Sequence, residues 1–230
     1  MIGIPRSNSS NRSHFDEQLR LLQDDLLVLA SMVEKAIDRS IQALVRRDLV
    51  EARRIIAEDF QINRKRFDIE DRCIQLIATQ QPMATDLRVL ASILYIIADL
   101  ERMADHAEGI AKINVLMGDE PLLKPLIDIP RMADKGRSML RRAMDAFVAR
   151  DTVAANAIAN EDDEVDALYN QVDRELLTFM LNDPRTISRA TYLMWAAHNL
   201  ERFADRVTNI CERVVYMVTG RMEEVNVSKY

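Results

Sequence analysis

Two short acidic phrases, 100 residues apart, are the residues of this chain best suited to chemistry. They read Asp99-Leu-Glu-Arg-Met-Ala-Asp105 and Asn199-Leu-Glu-Arg-Phe-Ala-Asp205. In each phrase a glutamate and an aspartate lie four residues apart, so on a helix both carboxylates share one face. Such a pair can bind a hard cation or a basic partner. The pairs are Glu101 with Asp105 and Glu201 with Asp205.

The first phrase has polar partners on the other side of a proline turn. If two antiparallel helices meet at Pro82, Asp59 falls level with Asp105. On the same geometry Asn63 falls level with Glu101. We therefore expect the four side chains to gather on two adjacent helices, in a weaker site because Asn63 replaces a carboxylate.

The second phrase repeats this arrangement with four acids. A turn centred on Asp183-Pro184 brings Asp162 level with Asp205 and Asp166 level with Glu201. One chance event cannot explain two copies of the same constellation, so we expect an acidic site in each half of the chain.

The donor set indicates which ions such sites would hold. Clustered like charges on helices are destabilising, and a bound cation removes that cost. Carboxylates without imidazole or thiolate suit magnesium, manganese, calcium or ferric iron better than zinc or copper. His198, one turn before Glu201, is the one imidazole near a site, and a lone helical histidine is more often structural.

A plainer interpretation is weighed against the cation site. The chain has 37 acidic residues in 230, so a single acid pair at this spacing is common and is usually a solvated face. Duplication favours a site over that interpretation. Whether the site takes a cation or a basic protein partner stays open at this point.

Long helices are expected to position these residues. Apolar residues recur at steps of three and four from Phe15 to Leu44, as in an amphipathic helix. Asp48 is a suitable N-cap, Pro82 interrupts a helix, and Gly118 and Gly220 are suitable C-caps. Six helices are predicted, over about 15–46, 48–79, 82–117, 129–150, 151–182 and 184–219.

The helices fall into two copies of one unit. Residues 43–59 match 146–162 at an offset of 103, and the acidic phrases match at an offset of 100. The predicted fold is all-α, two tandem three-helix bundles with long antiparallel helices. Its parts are a disordered tail (1–14), the first bundle (15–118), a linker (119–128), the second bundle (129–220) and a second tail (221–230).

Composition narrows the class of protein. Hydrophobic residues make up 48% and there are only 5 Gly and 6 Pro, which is typical of a helical domain. A net charge of −6 argues against broad nucleic-acid binding. The isolated Cys73 and Cys211 fit a reducing compartment, and neither a signal peptide nor a membrane span is evident. We expect a soluble cytoplasmic protein.

The residues do not indicate catalysis. The glycines are too scattered for a phosphate loop, and the three histidines form no sensible triad. No glutamate lies three residues before a histidine, which excludes the usual di-iron oxidase pattern. A hydrolase that uses clustered carboxylates is the least favoured alternative.

The phrase Gln81-Pro82-Met-Ala-Thr-Asp86-Leu-Arg88, together with the two acidic phrases, closely resembles the PhoU family. The resemblance covers about residues 15–220 and includes the repeated three-helix layout. It implies a non-enzymatic negative regulator of the phosphate-starvation response. Such a protein links the ATPase subunit of a phosphate ABC transporter to a sensor histidine kinase.

The resemblance also implies the site residues. Some members of the family carry metal clusters on Glu/Asp-xxx-Asp motifs, which match the two acid pairs here, and their partners match Asp59, Asp162 and Asp166. Asn63 departs from the acidic pattern. Iron, manganese or magnesium would be the ion, membrane association would be peripheral through the transporter, and a homodimer is one assembly to test. The alternative is a helical interaction module with metal-independent acidic docking surfaces.

Overall fold

The computed structural model describes residues 7–223, and every regular element in that range is helical. The all-α prediction is therefore confirmed. The helices, in chain order, are α1 (Ser7–Arg46), α2 (Leu49–Glu58), α3 (Phe60–Gln80), α4 (Ala84–Met117), α5 (Asp128–Ala149), α6 (Thr152–Ala159), α7 (Asp162–Asn182), a 3-10 turn (Pro184–Thr186) and α8 (Ile187–Thr219).

The second helix of each repeat starts with the same cap. Asp48 Oδ1 accepts hydrogen bonds from the backbone N–H groups of Val50 (3.1 Å) and Glu51 (2.9 Å). Asp151 Oδ1 does the same one repeat later, at 3.0 and 2.9 Å. The residue before each cap, Arg47 or Arg150, has a positive φ of 57° or 55° and reverses the chain direction. The predicted N-cap at Asp48 is confirmed.

Arg47 and Arg150, whose backbones are both in the left-handed region, allow a matched test of stability. The Arg150 side chain is exposed, and a non-glycine residue in this conformation is strained. We expect Arg150→Gly to raise the free energy of unfolding by about 0.5–1 kcal/mol. Arg47→Gly should give no such gain, because Arg47 Nη1 donates to Asn114 Oδ1 at 2.6 Å. Urea unfolding measures both, and equal effects would contradict this account.

The predicted start of the first helix needs correction. Helix α1 begins at Ser7 rather than at residue 15, and Arg12 on its added turns forms an ion pair with Asp86 at 2.6 Å. That pair fixes a polar segment which the prediction assigned to a disordered tail. Residues 1–6 and 224–230 of the predicted tails lie outside the described residues.

The predicted linker 119–128 packs against the core and ends one residue earlier than predicted. Leu122, Leu123 and Leu126 pack against the core, and Asp128 is already the first residue of α5 and is buried. Lys124 pairs with Glu175 on α7.

Each predicted second helix is broken in two. The first breaks at Asp59, between α2 and α3, and the other breaks at Asn160 and Glu161, between α6 and α7. Hydrophobic spacing does not reveal the break, because buried Ile55 and Ile62 lie seven residues apart, about two helical turns. The breaks matter because each lies at a predicted site residue, Asp59 or Asp162.

The two predicted three-helix bundles pack against each other, and most of their buried apolar residues form one continuous hydrophobic core. Helices α4 and α8 make the largest helix–helix interface, and α1 packs against α5. Polar contacts show that α4 and α8 are antiparallel: Ser92 Oγ donates to Arg213 O, and His106 Nδ1 lies 3.1 Å from Asn199 Oδ1. None of the helices between residues 7 and 223 is long and apolar enough to cross a membrane.

A pseudo-twofold axis relates the repeats. The offset of 100 converts the pair His106–Asn199 into Arg206–Asp99, and Arg206 Nη1 indeed lies 3.5 Å from Asp99 Oδ1. Both acidic phrases therefore lie near the crossing point of α4 and α8. The axis also passes near the α1–α5 contact, where Arg137 pairs with Glu34 (3.7 Å).

Candidate metal sites

The first site forms where the break at Asp59 faces α4. Oxygen atoms of Asp59, Asp105 and Glu108 lie within 4.8 Å of one another. Asn63 Nδ2 donates to Asp59 Oδ2 at 2.8 Å, so the predicted Asn63 orients a ligand rather than replacing one. Burial, together with the charges of Glu108 and Asp105, raises the pKa of Asp59.

One predicted residue of this site is absent from the cluster. Glu101 is not among its three acids, and its nearest ion-pair contact is Arg102 Nε at 3.7 Å. Glu108, which the sequence pattern does not indicate, completes the cluster and also pairs with Lys112 at 2.6 Å. Its spacing of three from Asp105 was the available signal, but the second repeat has Thr208 at that position, so duplication could not reveal it.

The second site lies at the start of α7 and faces α8. Burial and four neighbouring carboxylates raise the pKa of Asp162 to about 7. Burial and the Asp205 charge raise the pKa of Glu201 to about 6, against the opposing charge of Arg202. The pKa of Asp166 is also raised, first by burial and then by the charge of Asp205. The carboxylates that act on Asp162 are Asp166, Asp205, Glu201 and Asp163.

Two oxygens of the second site accept no hydrogen bond. Within the described residues, Asp162 Oδ1 and Glu201 Oε2 are shielded from solvent and accept no hydrogen bond. His198 Nδ1 lies 3.4 Å from Glu201 Oε2, and Arg202 Nη1 is 2.7 Å from Asp205 Oδ2. A shielded carboxylate oxygen without a donor is costly, and a cation is a fitting partner for it.

The donors of both sites therefore fit a hard cation. Both sites draw carboxylates from the broken second helix and from α4 or α8, but among the described residues only Asp59, Asp105 and Glu108 have oxygen atoms within 4.8 Å of one another. The four acids of the second site supply more charge than the three at the first, but they would have to move closer together to share one cation.

An arginine–glutamate pair lies beside each site. Arg39 Nη1 bonds Glu58 Oε2 at 2.7 Å, and Arg142 bonds both Glu161 oxygens at 2.6 Å. Each glutamate directly precedes the site aspartate. Hydrogen bonds from Arg142, with help from Lys135, hold the pKa of Glu161 at about 2. The pair anchors the helix break to the first helix of its repeat.

Removing this anchor should weaken the second repeat. We expect Arg142→Gln to lower the free energy of unfolding by about 1–2 kcal/mol at neutral pH, since it breaks two charged hydrogen bonds that are partly open to solvent. The matched control is Arg141→Gln, an exposed position on the same helix. If the two variants unfolded at the same urea concentration, the anchoring role would be wrong.

A family model described as "PhoU domain" matches the chain twice, over residues 26–113 and 129–214. The two matches coincide with the two structural repeats. Each therefore spans one acidic site and the helices that hold it.

Curated relatives extend over nearly the whole chain. A phosphate-specific transport system accessory protein PhoU homolog of Aquifex aeolicus is 38% identical over 90% of this chain and 93% of its own length. The homolog of Rhizobium meliloti is 35% identical over 93% and 91%.

Solved structures agree with the fold. The phosphate transport system regulatory protein PhoU from Streptococcus pneumoniae superposes with a TM-score of 0.85 and 33% identity, covering 91% of this chain and 99% of its own. PhoU from Pseudomonas aeruginosa gives the same TM-score and identity, over 90% and 100%.

Proposed function

We propose, on the premise that this chain belongs to the PhoU family, that it is a non-enzymatic regulator of phosphate uptake. The observation that carries the proposal is the match of both repeats, with relatives named as phosphate transport accessory proteins over nine-tenths of the chain.

The proposed role is that of an adaptor in the cytoplasm. The chain would contact the ATPase subunit of a phosphate ABC transporter and a sensor histidine kinase, and it would keep phosphate-starvation genes off when phosphate is plentiful. The family resemblance supports these partners. Long helices with exposed faces suit an adaptor, because they offer separate surfaces to two partners.

Metal binding is the second element of the proposal. The three clustered carboxylates and the raised pKa of Asp59 support a hard cation at the first site. The raised pKa values of Asp162 and Glu201, with the two oxygens that accept no hydrogen bond, support one at the second. Manganese, magnesium or iron would bind there. The residues proposed to hold it are Asp59, Asp105 and Glu108 in the first repeat and Asp162, Asp166, Glu201 and Asp205 in the second.

Deletion of the gene in its host tests the regulatory role. With ample phosphate, the deletion strain should express phosphate-uptake genes at the level that starvation induces in the parent, and the wild-type gene should restore repression. Unchanged expression in the deletion strain would contradict the proposed function.

A variant of the second site then tests whether the regulatory role requires the metal. The complementing gene should carry either Glu201→Gln with Asp205→Asn or the charge-matched control Glu17→Gln with Asp145→Asn. Full repression by the first variant, at equal protein level, would favour a role independent of metal.

A further inference from the structure

A group of aromatic side chains lies at the surface along α7 and α8. Trp195 is 50% exposed and packs edge-on against Tyr192, with ring centroids 5.7 Å apart. One turn further along α8, the His198 ring lies 6.1 Å from the ring of Tyr169 on α7. Asp173 follows Tyr169 by four residues and so shares its side of α7. We call Tyr169, Asp173, Tyr192, Trp195 and His198 the α7–α8 face.

The register of the two helices brings the acid of this face level with the tryptophan. The 3-10 turn reverses the chain between α7 and α8, and the contact of Tyr169 with His198 fixes their register. In that register Asp173 lies within one residue of the level of Trp195. Burial, followed by the charge of Asp173, raises the pKa of Tyr169. A carboxylate and aromatic rings are therefore presented together.

The first repeat shows what the tryptophan position accepts. Its counterpart at an offset of 100 is Tyr95, which is also 50% exposed. The guanidinium of Arg213 lies over the Tyr95 ring, 4.4 Å from the centroid. The counterpart of Arg213 is Ile113, which has no charge to offer. Among residues 7–223, no guanidinium lies over the Trp195 ring.

The acid of the face differs from its counterpart in the same way. At an offset of 103, Asp173 corresponds to Glu70, which forms an ion pair with Arg66 at 2.9 Å. The counterpart of Arg66 is Tyr169, so the second repeat carries no arginine there. In the part of the chain that the structure describes, the Asp173 side chain forms no ion pair or hydrogen bond.

The first repeat thus fills with two of its own arginines the positions that the second repeat leaves open. A guanidinium binds the face of an aromatic ring by cation–π attraction and binds a carboxylate through paired hydrogen bonds. Arginine suits both groups better than lysine, because its planar fork can stack and donate. Charge complementarity therefore favours an arginine-bearing occupant over an apolar or acidic one.

We propose that the α7–α8 face binds an arginine-bearing segment of a partner protein. One guanidinium stacks on Trp195, as Arg213 does on Tyr95, and a second pairs with Asp173, as Arg66 does with Glu70. The proposal goes beyond the function proposed above, and it requires neither the metal nor the regulatory role.

Fluorescence of Trp195 provides the test, because it is the only tryptophan of the chain. The full chain, in chelator, is titrated with an alanine-based helical peptide that carries two arginines four residues apart. Two such contacts give weak binding, so the peptide is taken to about 1 mM. We expect a saturable change in tryptophan emission. The same peptide with glutamine in place of both arginines should cause none.

Two variants test the acid while they keep the tryptophan. Asp173→Asn should weaken binding of the arginine peptide at least about fivefold, because it removes a charged hydrogen-bond acceptor. Tyr169→Arg recreates the pair of Arg66 with Glu70, so its own arginine should occupy Asp173 and weaken binding by a similar factor. Asp68→Asn, at an exposed position on α3, is the charge-matched control and should bind like the wild type.

Circular dichroism of each variant separates a loss of binding from a loss of fold. A wild type whose emission ignores the arginine peptide would overturn the proposal. So would an equal response to the glutamine peptide, or undiminished binding by folded Asp173→Asn. Because the titration uses neither metal nor host cells, its failure would leave the proposed regulatory function standing.

Discussion

Replacing Glu201 with glutamine and Asp205 with asparagine is expected to remove most of the stabilisation of this protein by manganese. A ligand that binds only the folded state at 100 times its dissociation constant adds about 2.7 kcal/mol. For a chain of this size, that corresponds to a rise in melting temperature of about 5–10 °C. Scanning calorimetry with and without manganese, and elemental analysis of the purified protein, measure the effect.

The same variant should behave differently without metal. Its two neutral amides no longer raise the pKa of Asp162, so the chelated variant should be more stable than the chelated wild type at pH 7–8. Adding Asp59→Asn should remove the metal response that remains from the first site.

The control Glu17→Gln with Asp145→Asn also removes two charges, but from exposed positions on α1 and α5. It should keep the full metal response. A wild-type melting temperature that does not change with magnesium, manganese or iron would contradict the proposed metal sites and favour the acidic docking surface.

The stability of the metal-free protein is expected to fall as the pH rises from about 4 to about 7. Asp162 titrates near 3.8 when unfolded and at about 7 when folded, and Glu201 shifts from 4.5 to about 6. In that window the folded state binds more protons than the unfolded state, so the free energy of unfolding decreases. At about 1.4 kcal/mol per pKa unit the two shifts together correspond to about 6 kcal/mol; the mutual coupling of the two groups and their partial exposure to solvent reduce the expected loss to on the order of 2–4 kcal/mol.

The carboxylate of Glu161 has the opposite effect on the free energy of unfolding at lower pH. The pKa of Glu161 falls from 4.5 to about 2, so its stabilisation is present above pH 4.5 and is lost on acidification. The chelated protein should therefore be most stable between about pH 4 and pH 5. Urea unfolding from pH 3 to pH 8 measures the profile. A curve that rises between pH 5 and pH 7 in chelator would show that the site carboxylates are not buried together.

Duplication made much of the site predictable from the chain alone. Two copies of one phrase indicated Glu201 and Asp205, and mirror geometry about a proline turn indicated Asp59 and Asp162. The structure places Asp59 beside Asp105 as that geometry predicts. Residues four apart on one helix share a face whatever the rest of the fold is, so these pairs can be predicted from the sequence alone.

Features that depend on packing between distant segments were not predictable. Glu108 joins the first cluster, while its counterpart Thr208 donates to the backbone of Asp205. The contact between α4 and α8 also was not predictable, because His106 and Asn199, which meet there, are polar residues that each look exposed on an isolated helix.

The ion pair of Glu34 with Arg137 crosses the pseudo-twofold axis between the two repeats. An offset of 103 separates these residues, so they occupy the same position in the two repeats and meet across the pseudo-twofold axis. In a pair of identical half-length chains, that position would meet its own copy, acid against acid or base against base. A single chain that carries both repeats can place glutamate at one copy of the position and arginine at the other, as this chain does. The ion pair across the axis is therefore available to the tandem chain and unavailable to a symmetric pair of its halves.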